Sequence, residues 1–439
     1  QPVQLETVDG VRCRLRIGEW DFDAQAVEQS QHNVLQLVGS QLLHDSSFLP
    51  KEQLAAFLEQ LERAYVPENP YHSHVHAADM CSSLWYLMNK TDLCVDPDST
   101  QAACMIAALG HDVGHFARNN VFLVATGDAL AVTYNDMHVL ENFHASSLAR
   151  LLNESYGGTP GDHRALLSNL PSDSEQRARH LMTTLILGTD CSRHLDDLSR
   201  FRVRLRSVKF DPRNDSSDLQ QSLGIMFRAA DIGHSAKTWD QHQDWSNRLM
   251  QEFHEQGDEE RRLGMKVSPL CDRHDCNMSI AQVSFLQFIC LPTWKELAIL
   301  EYRMRKLDIQ QQREEEEVCL SRTTRSCSIV SGMWRSDGRK LSRNRSHVGD
   351  ASPPSPKSPR PPKVHFQSEQ GPSGSGTDWF SEGSSASCKT VSDGSARWSW
   401  LAEVCMASCE RNCEAWQDLG QSQNNLPGRI STRSATDSS

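Results

Sequence analysis

The sequence predicts an all-α fold: a compact multi-helix domain over residues 1–320, with its core at about 15–310, and a disordered tail over residues 321–439. Two observations predict it. Apolar residues recur at helical spacing through the first part, where no convincing series of alternating strands is present. After Glu317, Ser, Pro, Gly and Arg dominate, and this composition cannot bury enough apolar area to order a chain.

The helices follow in chain order. Two amphipathic faces have the spacing of one side of a helix: Leu54, Phe57, Leu58, Leu61 and Tyr65 form the first, and Leu140, Phe143, Ser147, Leu148 and Leu151 form the second. Residues 280–291 are apolar nearly all round, which predicts a buried helix. That helix should end before Pro292, because proline cannot donate the next helical hydrogen bond. The helix near residues 294–309 is expected to pack against the body rather than to bind calmodulin.

Two histidine-containing runs indicate the chemistry. His72 and His76 stand four residues apart, so on a helix they share a face. An apolar run then ends at Gly110 and is followed directly by His111 and Asp112. An imidazole and a carboxylate at the edge of a core are costly to bury unless a cation offsets them.

A third apolar segment, residues 223–230, ends in Asp231, which could supply a fourth ligand. Nitrogen and oxygen ligands in this mixture suit Zn²⁺, and the oxygen-rich side suits Mg²⁺ or Mn²⁺. The residues therefore predict metal-assisted hydrolysis.

Taken together, the ordered motifs resemble the catalytic domain of the class I 3′,5′-cyclic nucleotide phosphodiesterases, an HD-type helical domain. The resemblance covers roughly residues 15–310 and is greatest to the calmodulin-dependent type, without assigning a subtype. The matching stretches are residues 71–79, 110–115, 134–144, 189–190, 230–231, 256–258, 268–272 and 282–285.

The resemblance implies hydrolysis of cAMP, cGMP or both to nucleoside 5′-monophosphates at a two-metal site. Four residues would hold the tight metal, normally zinc: His76, His111, Asp112 and Asp231. Asp112 would also touch a second metal, normally Mg²⁺ or Mn²⁺. Three residues would orient the water ligands of that second metal: His115, Glu141 and Asp190. A hydroxide bridging the metals would attack phosphorus, and His72 would protonate the departing O3′ as general acid.

The same resemblance implies a nucleotide pocket. Four residues would line it: Tyr71, His234, Gln282 and Phe285. Gln282 would hydrogen bond the purine through an amide that can present either a donor or an acceptor, so adenine and guanine both fit. Phe285 would stack on the base, although periodicity alone makes it plain helix core. Ser73 and Phe143 depart from the family pattern, which has Asn and His there; neither is a metal ligand, so activity is expected to survive.

Two other functions stay open on the residues. The chain could be an HD-type phosphohydrolase that acts on another nucleotide, or a catalytically degenerate nucleotide-binding regulator. The region around Gln282 and Phe285, together with the acid His72, favours the cyclic-nucleotide activity over the first alternative. The intact set of metal ligands argues against the second.

Charge and composition limit the partners. The chain carries a formal net charge of −12, concentrated in an acidic body, which argues against nucleic-acid binding. A run of about 18 apolar residues is missing, so no membrane segment is expected. The substrate class predicts a cytoplasmic location with free thiols. Because the chain begins at Gln1, an upstream membrane anchor is left open.

The tail contains two features of its own. Basic sequences near Ser328 and Ser346 resemble substrates of basophilic kinases, whose phosphates would cancel positive charge. Cys405, Cys409 and Cys413 recur every four residues. We interpret them as one helix face, with a lipidation cluster or a metal clip as the alternatives.

Overall fold

The computed structural model describes residues 16–91, 93, 99–154, 165–333 and 400–424, with side chains up to residue 316 of the long helix and over 400–422. Within these residues all regular elements are helical, which confirms the predicted fold class. The α-helices are α1 (Ala24–Gln31), α2 (Val34–Leu42), α3 (Lys51–Arg63), α4 (His74–Thr91), α5 (Ser99–Gly110), α6 (Asn120–Thr126), α7 (Ala129–Thr133), α8 (Val139–Asn153), α9 (Ser172–Leu187), α10 (His194–Leu205), α11 (Ser216–Asp231), α12 (Trp239–Arg262), α13 (Met278–Phe285), α14 (Leu291–Met333) and α15 (Ala407–Asn424).

Helix α5 lies at the centre of the core. Its residues from Ala102 to Gly110 are all buried, and it packs against α4 and α9. Gly110 allows the closest approach, because a Cβ there would lie 2.7 Å from Cδ1 of Leu148 in α8. The small residue thus brings α5 and α8 together where the chain turns into His111 and Asp112.

Two other helix ends point toward the same place. Helix α11 begins at a capping side chain, since Asp215 accepts hydrogen bonds from the backbone N–H groups of Ser217 and Asp218. It packs against α4 and ends at Asp231. Helix α4 begins at His74, so His76 lies in its first turn. The start of α4 and the ends of α5 and α11 therefore present their polar residues to one another.

The predicted end before Pro292 is wrong. Helix α13 passes into a π-helical turn, Leu286–Cys290, and α14 begins directly at Leu291. Pro292 is tolerated because it stands in the first turn of α14, where a missing N–H costs little. The segment is also not buried all round, since Ile280 and Phe288 are each 65% exposed.

Helix α14 packs in the core, as predicted for residues 294–309. Trp294, Leu297, Leu300 and Met304 are all buried. The helical run Met278–Glu316 is long and apolar enough to cross a membrane by length and composition alone. Core helices pass the same test.

Buried acidic residues support the core interpretation of α14. Glu296 is 1% exposed and pairs with Arg202 and with Arg206, each at 2.7 Å. A carboxylate held by two guanidinium groups inside the protein fits a core helix better than a lipid-facing one.

The predicted disordered tail needs correction. Helix α14 runs on to Met333, and residues 400–424 are helical, through a π-helical turn at Leu401–Met406 and then α15. By its contacts the chain divides into two compact units, residues 1–311 with 398–439, and residues 312–397. The first unit therefore includes α15. Residues 334–399 and 425–439, with Ser346, lie outside the described residues, and the side chain of Ser328 is not described.

Helix α15 is ordered by tertiary packing that composition does not reveal. Cys405, Cys409 and Cys413 are buried together with Leu401 and Trp416, so the interpretation of the cysteines as one helix face is confirmed. Helix α15 packs against α13. A short helix with one apolar stripe gains most of its stability from such packing rather than from propensity.

Glu301 anchors the start of this returning segment. Its carboxylate is fully buried and accepts hydrogen bonds from the backbone N–H groups of Trp400 (3.2 Å) and Leu401 (2.9 Å), while Arg305 pairs with it. A carboxylate at a helix N-terminus satisfies donors that the helix leaves unpaired. The acid in α14 therefore holds residues 400–406 against the core.

Replacing Glu301 by Gln should loosen the returning segment. The amide offers one acceptor and adds a donor that faces the backbone N–H groups, so the free energy of unfolding should fall by about 1–3 kcal/mol. Hydrogen exchange followed by mass spectrometry should show faster exchange over residues 400–422. Glu403→Gln, at an exposed position of the same segment, is the matched control. Unchanged protection in the Glu301 variant would contradict the anchoring role.

Candidate active site

Four predicted metal ligands meet where the ends of α5 and α11 face the start of α4. His76 Nε2 lies 3.0 Å from Asp231 Oδ1 and 3.9 Å from Asp112 Oδ2. His111 Nε2 lies 3.0 Å from Asp112 Oδ2 and 3.3 Å from Asp231 Oδ1. Ligands about 2.0–2.2 Å from one metal ion stand about 3–3.5 Å apart, so most of these separations suit a shared ion.

His111 shows that the donor set fits a metal. Its Nδ1 donates to the carbonyl oxygen of Ala108 at 2.9 Å, so in the neutral ring the lone pair is on Nε2. That buried Nε2 makes no hydrogen bond of acceptable geometry with the described residues, although the Asp112 and Asp231 oxygens are close. Two carboxylates beside this nitrogen require positive charge there, either a proton on Nε2 or a metal ion between the groups.

The surrounding charges favour positive charge at this point. Burial alone would lower the pKa of His111, but the carboxylates of Asp112 and Asp231 outweigh it and hold that pKa well above its usual range. Burial would likewise raise the pKa of Asp231, yet His111 and His76 hold it well below its usual range. The two acids are therefore ionised and available as ligands.

His72 is paired with an acid that the sequence did not reveal. Its Nδ1 lies 2.5 Å from Oε2 of Glu252 in α12, whose Oε1 accepts from the backbone N–H groups of Tyr71 (2.7 Å) and His72 (2.8 Å). Burial alone would lower the pKa of His72, but Glu252 outweighs it and raises that pKa to about 9. His72 is therefore charged at neutral pH, with the proton on Nε2 free for transfer.

A signal for Glu252 was present in the sequence. Three buried polar residues of α12 stand four apart along one face: Glu252, Gln256 and Glu260. Polar side chains that repeat at the spacing of a buried face require partners inside the protein. This register is the signal that could have pointed to Glu252, but its burial and its partner His72, 180 residues away, are visible only in the structure.

The three predicted water-orienting residues separate into two groups. His115 stacks on His72, with ring centroids 4.0 Å apart, and its Nδ1 accepts from the N–H of Ala117. Glu141 and Asp190 instead lie close to His138 on the other side, with their ligand atoms within 4.8 Å of one another. The structure thus places His138, to which sequence analysis assigned no role, beside two of the three.

The predicted pocket residues lie next to the metal ligands. The Tyr71 ring packs on His76, with centroids 4.6 Å apart, and is 6.1 Å from His234. His234 and Phe285 have nearly parallel rings 6.3 Å apart. Gln282 is buried, and Ser246 Oγ donates to its Oε1 at 3.3 Å. All four predicted residues therefore belong to one region.

A hydrogen-bonded chain runs from α15 to the pocket. Trp416 Nε1 donates to His242 Nε2 at 2.9 Å, and His242 Nδ1 lies 3.0 Å from His234 Nδ1. Indole is a donor only, so His242 carries its proton on Nδ1 and donates it to His234. His234 therefore carries its own proton on Nε2. Sequence reasoning missed Trp416 because it lies in the segment that composition marked as disordered.

Burial keeps the imidazoles of His234 and His242 neutral. It lowers the pKa of His242 to about 4, and burial with neighbouring positive charge holds the pKa of His234 well below its usual range. The tautomers assigned from Trp416 therefore apply at neutral pH.

A family comparison matches this architecture. The model of the family described as 3′5′-cyclic nucleotide phosphodiesterase matches residues 71–311. The calcium/calmodulin-dependent dual-specificity 3′,5′-cyclic nucleotide phosphodiesterase 1 of Drosophila melanogaster is 34% identical over 293 residues, which are 65% of this chain and 34% of that protein. The 1B enzyme of Mus musculus, with the same description, is 32% identical over 294 residues, 65% of this chain and 52% of that one.

A solved structure agrees in fold. The phosphodiesterase domain of the RhoPDE fusion protein from the choanoflagellate Salpingoeca rosetta superposes with a TM-score of 0.59, at 22% identity, over 71% of this chain and 97% of that one. The chain spans about a third to a half of the curated relatives above. Because the family model covers more than half of its residues, this chain belongs to the 3′,5′-cyclic nucleotide phosphodiesterase family.

Proposed function

We propose that this chain is a metal-dependent phosphodiesterase that hydrolyses cAMP and cGMP to nucleoside 5′-monophosphates. One observation carries the proposal: the imidazoles of His76 and His111 meet the carboxylates of Asp112 and Asp231 at 3.0–3.9 Å, beside the charged pair of His72 and Glu252. Membership of the family and the activities for which these relatives are named support it.

Zinc fits the donor set of two imidazoles and two carboxylates at the tight site: His76, His111, Asp112 and Asp231. A second, harder metal such as Mg²⁺ or Mn²⁺ would use the remaining oxygen of Asp112. When bound, the metals polarise the phosphate and lower the pKa of water so that it attacks at neutral pH.

His72 is the general acid that protonates the leaving group. His72 holds a proton on Nε2 because Glu252 accepts from Nδ1 and keeps the ring charged. The departing O3′ is an alkoxide and a poor leaving group, so protonation there speeds bond cleavage by about 10²–10⁴-fold. The contacts of Glu252 with two backbone N–H groups also fix the loop that carries His72.

The pocket supports both purines. The only hydrogen-bond partner of Gln282 among the described side chains is the Ser246 hydroxyl, which can donate to an amide oxygen or accept from an amide nitrogen. Either orientation of the Gln282 amide is therefore satisfied. His234 offers Nε2–H as a donor toward an acceptor on the base. A Gln282 amide that can adopt either orientation, beside the Nε2–H donor of His234, is the arrangement expected for hydrolysis of both cAMP and cGMP.

Two further predictions belong with this function. We place the chain in the cytoplasm, which agrees with the free thiols of the nine cysteines whose side chains the structure describes. The basic sequences near Ser328 and Ser346 stay predicted kinase sites.

Turnover with and without a chelator tests the proposal. The purified chain should convert cAMP and cGMP to the 5′-monophosphates, and EDTA dialysis should abolish turnover until Zn²⁺ and Mg²⁺ are restored. Product identification by chromatography separates this activity from a phosphohydrolase that acts on non-cyclic nucleotides. Undiminished turnover in metal-free protein, or nucleotide binding without turnover, would refute the proposal.

The pair His72 and Glu252 should control the pH profile. His72→Ala should lower kcat by about 10²–10⁴-fold and leave zinc content intact, because it removes only the proton donor. The charged form of His72 is the active one, so activity falls as pH rises through its pKa. Glu252→Gln removes the group that raises this pKa, and the alkaline limb of kcat/KM should move to lower pH. Loss of zinc from the His72 variant, or an unmoved limb, would contradict the assignment.

Trp416→Phe should change nucleotide selectivity. It removes the indole N–H that sets the tautomers of His242 and His234. The proton of His234 is then shared between the Nδ1 and Nε2 tautomers rather than held on Nε2. Guanine carries an acceptor at position 6 where adenine carries an amino group, so the ratio of kcat/KM for cGMP to that for cAMP should fall by about 2–10-fold, the worth of one hydrogen bond. Trp239→Phe is the matched control, because Trp239 packs on Trp416 without a hydrogen bond to His242. Equal effects of both variants would exclude the tautomer argument.

A further inference from the structure

His138 has no part in the mechanism above, yet it lies among metal-ligating groups. It precedes α8 with φ of 47°, in the left-handed region, and its side chain does not cap the helix. Its Nδ1 lies 2.5 Å from Oδ2 of Asp190, and its side chain is 25% exposed. The imidazole is therefore accessible to a solute and fixed beside a carboxylate.

Glu141 completes the group from the first turn of α8. One ligand atom from each of His138, Glu141 and Asp190 lies within 4.8 Å of the other two. Glu141 is 9% exposed and Asp190 is 7% exposed. Two nearly buried carboxylates and one imidazole thus stand as close together as the side chains that share one metal ion.

The described partners of these two carboxylates are neutral apart from His138. Both oxygens of Glu141 accept from the amide of Asn120, at 3.0 and 3.2 Å. Asp190 Oδ1 accepts from the backbone N–H of Ser192 at 2.7 Å. Arg228 pairs with Asp197 and donates to the backbone oxygen of Asp190 rather than to its carboxylate. A bound cation would therefore offset negative charge that the neighbouring arginine does not reach.

We propose that His138, Glu141 and Asp190 bind a divalent transition metal directly, with the imidazole nitrogen as a ligand. The inference rests on the second metal of the proposed function, and it differs by making these side chains ligands rather than water-orienting groups. An imidazole ligand suits Mn²⁺, Co²⁺ or Zn²⁺, whereas Mg²⁺ prefers oxygen ligands and retains its water. The second metal of this chain should accordingly be a transition metal.

The matched variants use the backbone conformation. His138→Asn removes the imidazole and keeps a residue that tolerates a positive φ. His32→Asn is the control, because His32 is exposed and has φ of 57° at the end of α1. Both variants should fold, and retention of one zinc per chain verifies that the tight site stays occupied.

Mn²⁺ binding to the zinc-loaded protein tests the site. Electron paramagnetic resonance should give one bound Mn²⁺ per chain, with pulsed-EPR ¹⁴N modulation from a directly bound imidazole. His138→Asn should lose the ¹⁴N modulation. It should also raise the Kd for Mn²⁺ by at least about tenfold, because loss of a residue that only orients a metal ligand already weakens metal affinity by about 10–100-fold. Kd for Mg²⁺ should change less, and His32→Asn should behave as the wild type.

Three results would overturn the inference: no ¹⁴N modulation in the wild type, modulation that persists in His138→Asn, or an unchanged Kd for Mn²⁺ in that variant. Cyclic-nucleotide turnover, measured on the same samples, separates the two proposals. Turnover without ¹⁴N modulation refutes the ligand role of His138 and supports the phosphodiesterase activity. Modulation without turnover supports the ligand role and refutes the activity.

Discussion

The constraint on which the site depends is the need for positive charge where two imidazoles meet two carboxylates. His76 and His111 turn their Nε2 atoms toward Asp112 and Asp231, at separations of 3.0–3.9 Å. Little water is present to screen these charges, so a proton on His111 or a metal ion must offset the two carboxylates. A cation converts the same contacts into coordination, so metal binding and the stability of this part of the core should be coupled.

The helices make that convergence possible by close packing rather than by their sequence order. Helix α5 is buried from Ala102 to its end, and Gly110 lets it approach Leu148 of α8 more closely than any larger residue would. The polar residues that follow are thereby held against the end of α11 and the start of α4. The proposed catalytic acid and the proposed base pocket then need only short extensions from the same region: the loop before α4 carries His72, and the turn after α11 carries His234.

Helix α15 joins the base pocket to a part of the chain far from the metal ligands in sequence. Glu301 holds the beginning of the returning segment, the Asn412 amide donates to the carbonyl oxygens of Ser235 and Lys237, and Trp416 reaches His242. The indole N–H of Trp416 thus determines, through His242, which ring nitrogen of His234 carries the proton. Substrate selectivity can thus depend on residues that never touch the nucleotide, because a neutral imidazole has one proton and two places for it.

The sequence by itself determined the helical class and predicted four metal ligands and a general acid that the structure brings close together. Helical spacing, apolar runs that end in polar residues and a set of ordered motifs are local properties, so they can be read without the fold. Tertiary structure decided the rest. Glu252 became the partner of His72 across 180 residues, and Pro292 was accommodated in the first turn of α14 after a π-helical turn. The segment around Trp416 folded although its surroundings are rich in polar residues. Composition averages over many positions, whereas a few buried side chains on one helix face, met by a complementary surface, are enough to order a segment.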